Sequence, residues 1–126
     1  MSSHNDNAEA AVKAALDRYA DAVYHADVET LKNAFHPAAA MFGYLGDELL
    51  LGTPEPFVAD IAGHPPMAES GAPFDAVFSA IHVSGRTATA TLHESGFFGA
   101  GNFVNYFHLL NDGGEWKIVS KTFESL

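Results

Sequence analysis

Residues 18–43 read RYADAVYHADVETLKNAFHPAAAMFG, and their pattern predicts how the chain enters its fold. The first part ends an amphipathic helix, because its apolar residues recur at spacings of three and four. Ala26 and Asp27 then break this helix, and Asp27 is a residue type that caps a second, short helix. Pro37 ends the second helix, since the residue before a proline avoids helical angles. The apolar run from Ala38 to Tyr44 follows and predicts a buried strand.

Two longer helices are predicted on either side of the short one. The first begins near Asp6, which together with Glu9 resembles a capping arrangement, and it ends at Ala26. Its apolar face consists of Val12, Ala15, Leu16, Tyr19, Val23 and Ala26. The third helix begins at Thr53-Pro54, where a hydroxyl cap precedes a proline, and it ends by His64-Pro65-Pro66.

The remaining segments favour strands joined by glycine-containing turns. The predicted strands are Ala38–Tyr44, Glu48–Leu51, Phe74–Val83, Arg86–Glu94, Asn102–Leu110 and Trp116–Phe123. Helices first and long hairpin-connected strands afterwards indicate an α+β fold, in which the helices cover one face of the sheet. We therefore predict a single domain over residues 1–126, with residues 1–7 as a flexible tail.

Composition and charge exclude several classes of function. The chain has no cysteine, so disulfides, thiolate catalysis and zinc–thiolate sites are ruled out. Its formal net charge of −10 would repel nucleic acid and anionic lipid, so neither is an expected partner. The N-terminus lacks a signal-peptide pattern and no apolar run is long enough to cross a bilayer, so we expect a cytoplasmic protein.

The order of these motifs resembles the nuclear transport factor 2-like (cystatin-like) superfamily over nearly the whole chain. The resemblance is carried by Tyr19, Ala26–Val28, Phe35–Pro37, the helix start at Gly52 and Gly114–Val119. Within the superfamily the chain is most similar to the putative lumazine-binding group and lies near the SnoaL-like polyketide cyclases. The resemblance implies a curved, mixed or antiparallel sheet that forms a cone-like half barrel covered by three N-terminal helices. It also implies a pocket inside the cone and a homodimer through the outer sheet face.

The same resemblance suggests roles for three residues. In ketosteroid isomerase-like members, a tyrosine at the position of Tyr19 donates a hydrogen bond to a developing oxyanion, although a core tyrosine is the alternative. Asn105 matches a strand position where those enzymes keep a second donor, and an amide can also donate. Gly43 stands where they carry their general base. Isomerase chemistry of that type is therefore not expected unless another residue replaces the base.

Glu94 and His36 are the candidates to replace that base. Strand alternation from Asn105 places Glu94 on the inward face with Leu92, whereas a solvated strand end or a glycine bulge would place it outside. Lys121 shares the predicted pocket face and could pair with Glu94, or both could lie on the surface. His36 belongs to the Phe-His-Pro turn, where capping or packing is the alternative role.

Ligand binding is the leading functional hypothesis from the sequence. The ligand would be a small apolar or cyclic molecule, with no cofactor, and no metal is expected because the seven histidines lack ligand spacing. A cyclase, dehydratase or isomerase is the first alternative, and a dimeric association module with a filled cone is the second. The predicted pocket residues are Tyr19, Met41, Leu92, Glu94, Asn105, Phe107 and Phe123.

Overall fold

A computed structural model describes the backbone of residues 2–126 and the side chains of residues 7–126. Within this range the helices are α1 (Ser2–His25), α2 (Val28–Ala34), α3 (Glu55–Ala62) and the single-turn α4 (Met67–Ser70). The strands are β1 (Phe35–Leu45), β2 (Glu48–Gly52), β3 (Asp75–Ser84), β4 (Thr87–Phe97), β5 (Gly101–Asp112) and β6 (Glu115–Ser125). The tail predicted for residues 1–7 and the cap predicted at Asp6 fall mainly outside the described side chains, and both stay predictions.

The six strands form one curved sheet that does not close into a barrel. Their order is β2-β1-β6-β5-β4-β3, so the first long strand pairs with the last. The β1–β6 pair is parallel and the other four pairs are antiparallel. The predicted α+β class and mixed sheet are therefore confirmed. Each of the four antiparallel pairs joins strands that follow one another along the chain, and glycines with positive φ lie in the connecting turns, among them Gly46, Gly85 and Gly113.

The start of α2 agrees with the sequence, whereas α1 begins at Ser2 rather than near Asp6, and α3 is also shifted. The Asp27 carboxylate accepts hydrogen bonds from the backbone and the hydroxyl of Thr30, so it caps α2 as predicted. The helix that follows Thr53 begins one residue later than expected, because Pro54 is its cap residue. The Thr53 hydroxyl still accepts a hydrogen bond from the backbone N–H of Glu55 at 3.3 Å.

The end of α2 differs more clearly from the prediction. The chain leaves the helix at Ala34, and β1 already begins at Phe35 instead of Ala38. Pro37 therefore lies inside a strand, where its missing N–H coincides with the irregularity in the β1–β6 register between Phe35 and Ala40. The turn α4 was not predicted, since four residues are too few for a periodic pattern.

The core fills the space between α1 and the concave face of the sheet. The largest side chains that are completely buried there include Tyr19, Leu16, Leu31, Ile61, Leu92 and Phe107. Burial on this scale removes the apolar face of α1 from water and holds the helix across the sheet. In the described part of the chain, no helix combines the length and apolar character needed to span a membrane.

Candidate functional site

A cavity of about 410 Å³ lies between the inner face of the sheet and α3. Apolar side chains from β1, β2, β4, β5, β6 and α3 form most of its wall. The wall consists of Met41, Leu45, Leu50, Leu51, Gly52, Thr53, Pro56, Phe57, Asp60, Glu94, Phe97, Phe103, Asn105, Lys121 and Phe123. Three of these side chains, Glu94, Asn105 and Lys121, are polar and buried.

Strand alternation brings the three buried polar side chains to the same face. Leu92 pairs with Asn105 across β4 and β5, and Glu94 is two residues further along β4, so both polar groups point inward. The sequence left the facing of Glu94 open between this inward position and a solvated strand end, and the structure has the inward one, with 7% of the residue exposed. The β4 irregularity follows at Ser95–Phe97 and leaves the side of Glu94 unchanged. Gly96 is required there, because its φ is +77° and an added Cβ would lie 2.2 Å from the Pro73 carbonyl oxygen.

Glu94 and Asn105 form a buried hydrogen bond. The Asn105 side-chain amide donates to Glu94 Oε1 at 2.8 Å, and Asn105 is only 1% exposed. A carboxylate removed from water needs such a donor, because burying an unpaired charge is costly. The Asn105 amide therefore stabilises the Glu94 carboxylate directly, and the side-chain carbonyl oxygen of Asn105 remains able to accept a hydrogen bond.

Lys121 lies on the same face of the sheet as this pair, on β6 next to the strand of Asn105, and it has an aromatic environment. Its ammonium is 3.8 Å from the centre of the Phe57 ring and 5.6 Å from the centre of the Tyr19 ring. Such contacts with ring faces favour the charged ammonium, whereas burial disfavours it. Burial lowers the pKa of Lys121 from 10.5 to about 8, and the nearby Glu94 carboxylate partly offsets this shift.

Tyr19 lies behind the cavity wall. Its ring packs edge-on against Phe107 and Phe35, with ring centres 5.3 and 5.9 Å apart. Its hydroxyl is buried and has no hydrogen-bond partner among the described residues. Burial raises the pKa of Tyr19 well above its ordinary value, and the Glu94 charge adds to this effect. Tyr19 is thus neutral at physiological pH and occupies the core position that the sequence left as an alternative.

The structure divides the seven predicted pocket residues into two groups. Met41, Glu94, Asn105 and Phe123 line the cavity. Tyr19, Leu92 and Phe107 are in the core beneath it and are not part of its wall. Strand alternation identifies the face of a residue but not how deeply it is covered, which explains why the two groups could not be separated from the sequence.

His36 is remote from the cavity. Its Nδ1 accepts a hydrogen bond from the backbone N–H of Ala38 at 3.0 Å, so its Nε2–H donates to Asp112, 2.9 Å away. These bonds tie the start of β1 to the turn between β5 and β6. The suggestion that His36 acts as an acid or base in the pocket is therefore wrong, and its role here is structural.

Gly43 has no space for the general base that the resemblance places at this position. It is buried beside Phe123 of β6, and an added Cβ would lie 2.0 Å from the Phe123 carbonyl oxygen. Any side chain would have to displace the backbone of the neighbouring strand. The close packing of the two strands therefore excludes a base at this position.

Part of the cavity wall was not foreseen in the sequence. Phe57 and Pro56 come from α3, while Leu50 and Leu51 come from the short strand β2. Nothing in the local sequence around Phe57 indicates contact with Lys121, which lies 64 positions later. Among the described residues, no group of three or more histidine, aspartate or glutamate side chains could hold a metal ion.

The architecture and the internal cavity define the class of this protein as a nuclear transport factor 2-like cone. It is similar to a nuclear transport factor 2-like protein of unknown function from Methylobacillus flagellatus, with 26% identity and a TM-score of 0.82 over 92% of this chain and 90% of that one. A counterpart of unknown function from Shewanella baltica shows 27% identity and a TM-score of 0.79, with coverage of 92% and 91%. A putative dehydratase from the same superfamily in Streptomyces avermitilis shares the fold, at 19% identity, a TM-score of 0.68 and coverage of 96% and 97%.

The family itself is identified by sequence. The profile of the family described as putative lumazine-binding matches residues 7–124, and the chain belongs to this family. No curated protein matches the chain significantly. The resemblance recognised in the sequence is therefore confirmed at the level of superfamily and family.

The lowered pKa of Lys121 predicts that the stability depends on pH. Between about pH 8 and 10.5 the unfolded chain binds more protons at this side chain than the folded chain, so the free energy of unfolding rises with pH. Between pH 8 and pH 10 we expect the free energy of unfolding of the wild type to rise by about 2 kcal/mol more than that of Lys121→Met. Urea denaturation of both proteins at several pH values measures this difference. Parallel pH profiles for the two proteins would contradict the prediction.

Proposed function

We propose that the protein binds a small, largely apolar cyclic molecule in the cavity beneath α3. The observation that carries this proposal is a cavity of about 410 Å³ with mainly apolar walls and a cluster of Glu94, Asn105 and Lys121. Sites for small molecules commonly combine an apolar enclosure with a few polar groups that orient the ligand. The family description, which refers to lumazine binding, agrees with a ligand-binding role.

The other two functions receive less support from the geometry. An association module requires a filled cone, whereas a cavity remains in this one and Met41 lies at its wall. Catalysis with Tyr19 as oxyanion donor requires a titratable group within hydrogen-bond distance of its hydroxyl, and none of the described residues supplies one. A cofactor-free acid/base reaction remains the second candidate, because the Glu94 carboxylate lies in the cavity wall.

Binding can be tested with the neutral fluorescent probe N-phenyl-1-naphthylamine and a variant that blocks the cavity. Leu50 lines the cavity from β2, while the neighbouring Leu49 does not. We expect Leu50→Trp to weaken probe binding at least tenfold and Leu49→Trp to change it less than twofold. A fluorescence titration of each protein gives the dissociation constants. Equal binding by the two variants, or no binding by the wild type, would contradict the proposal.

We also propose that two copies of the chain associate through the outer face of the sheet. The proposal rests on the resemblance and on two apolar residues of that face, Val77 and Tyr106, which are 59% and 51% exposed. Large exposed apolar side chains on one surface often mark an interface. We expect light scattering during size-exclusion chromatography to give twice the mass of one chain, and Tyr106→Glu to reduce it. A wild-type protein with the mass of one chain would exclude the dimer.

A further inference from the structure

Lys121 and Glu94 lie in the wall of one cavity without forming an ion pair. Within residues 7–126, no carboxylate oxygen lies within 4.0 Å of the Lys121 ammonium. Each charged group has a different neighbour instead. The Glu94 carboxylate accepts a hydrogen bond from Asn105 at 2.8 Å, while the Lys121 ammonium lies 3.8 Å from the centre of the Phe57 ring.

Both groups keep hydrogen-bonding capacity that faces the cavity. An ammonium has three donors, and no described residue accepts from Lys121 within hydrogen-bond distance. A carboxylate has about four acceptor sites, of which the Asn105 amide occupies one. A ligand group that both accepts and donates would use a free donor of Lys121 and a free acceptor site of Glu94. These hydrogen bonds would offset the cost of keeping the two charged groups away from water.

The charge of the site restricts the ligand further. The two buried charged residues, Lys121 and Glu94, together are neutral, with 4% and 7% of each residue exposed. The third charged residue of the wall, Asp60, is more than half exposed to water and lies 3.6 Å from His64. An anionic ligand would place a second negative charge near Glu94, and a cationic ligand would place a second positive charge near Lys121. Like charges at short distance in a poorly solvated site are strongly unfavourable. An uncharged ligand avoids both repulsions.

We propose, on the basis of the ligand-binding role above, that the natural ligand is an uncharged ring compound with a hydroxyl group, a phenol or a cyclic alcohol. Its oxygen accepts a hydrogen bond from the Lys121 ammonium, and its O–H donates to the Glu94 carboxylate. Its rings occupy the apolar part of the cavity, between Phe57 and Phe123. A single oxygen then bridges the two charged groups that do not contact each other directly.

Three naphthalene derivatives of similar size test this assignment at pH 7. 2-Naphthol both donates and accepts, 2-methoxynaphthalene only accepts, and 2-naphthoate carries a negative charge. Each competes with N-phenyl-1-naphthylamine, whose displacement is followed by fluorescence. We expect 2-naphthol to bind at least tenfold more tightly than either of the others. In Lys121→Met and in Glu94→Gln this preference should fall to threefold or less.

Lys117→Met is the matched control, because Lys117 lies on the same strand and contacts Glu115 and Asn33 outside the cavity. It should keep the wild-type preference for 2-naphthol. Tightest binding of 2-naphthoate, or equal binding of all three compounds, would overturn the assignment while leaving the ligand-binding role intact. Failure of every compound and of the probe to bind would overturn both. An unchanged preference in Lys121→Met and Glu94→Gln would also overturn the assignment.

Discussion

Gly43→Ala is expected to lower the free energy of unfolding by about 3 kcal/mol or more. The added Cβ would lie 2.0 Å from the Phe123 carbonyl oxygen and 2.8 Å from both the carbonyl carbon and the first ring carbon of Phe123. Two of these three atoms belong to the backbone, so rotation of a side chain cannot relieve the overlap. The β1–β6 ladder would have to separate locally, and insertion of even one methyl group into a closely packed interior is destabilising. Urea denaturation followed by circular dichroism measures the loss.

Gly63→Ala is the matched control for this prediction. Gly63 ends α3 with helical angles, and the nearest atom to an added Cβ is the Ala59 carbonyl oxygen at 3.3 Å. We expect a change within about 1 kcal/mol, since the substitution also restricts the unfolded chain. If Gly43→Ala were no more destabilising than Gly63→Ala, the close approach of β1 and β6 would be wrong. The consequence for function is direct, because a strand that excludes alanine also excludes an aspartate or glutamate base.

Asn105→Leu is expected to lower the free energy of unfolding by about 3 kcal/mol at pH 7. The substitution keeps a similar volume but removes the amide that donates to Glu94 Oε1 at 2.8 Å. Because Glu94 is buried, its carboxylate would lose a charge-assisted hydrogen bond without full access to water. Chemical denaturation with tryptophan fluorescence from Trp116 measures the change.

A double-mutant cycle separates the loss of this hydrogen bond from a general loss of packing. We expect Glu94→Gln to recover about 1–2 kcal/mol in the Asn105→Leu background, since a neutral amide is less costly to bury than a carboxylate. Asn102→Leu is the control on the same strand, where Asn102 is exposed, and it should change stability by less than about 0.5 kcal/mol. Strictly additive effects of the Asn105 and Glu94 substitutions would show that their hydrogen bond does not stabilise the fold.

Local patterns in the sequence predicted most of the elements. The Asp27 cap, the apolar face of α1 and the alternation of β4 depend on residues only a few positions apart, and each is observed. The predictions were less accurate where contacts between distant parts of the chain determine the bounds of an element. β1 begins three residues early because it pairs with β6, whose residues lie about 80 positions later. The residues near Phe35 give no indication of the pairing between β1 and β6.

The residues of the candidate site also differ in whether local sequence patterns or contacts between distant elements determine their positions. The sequence by itself allowed Glu94 and Asn105 to share one face of the sheet, since uninterrupted strand alternation puts both on the same side, but it left a solvated strand end and a glycine bulge open for Glu94. Only the tertiary structure showed that Tyr19 is covered, that His36 is remote and that Lys121 lies against Phe57 of α3. Burial depth and contact between elements depend on how a helix lies across a curved sheet. That arrangement is set by packing over the whole chain, so the sequence determined which side chains could meet, and the fold decided which of them do.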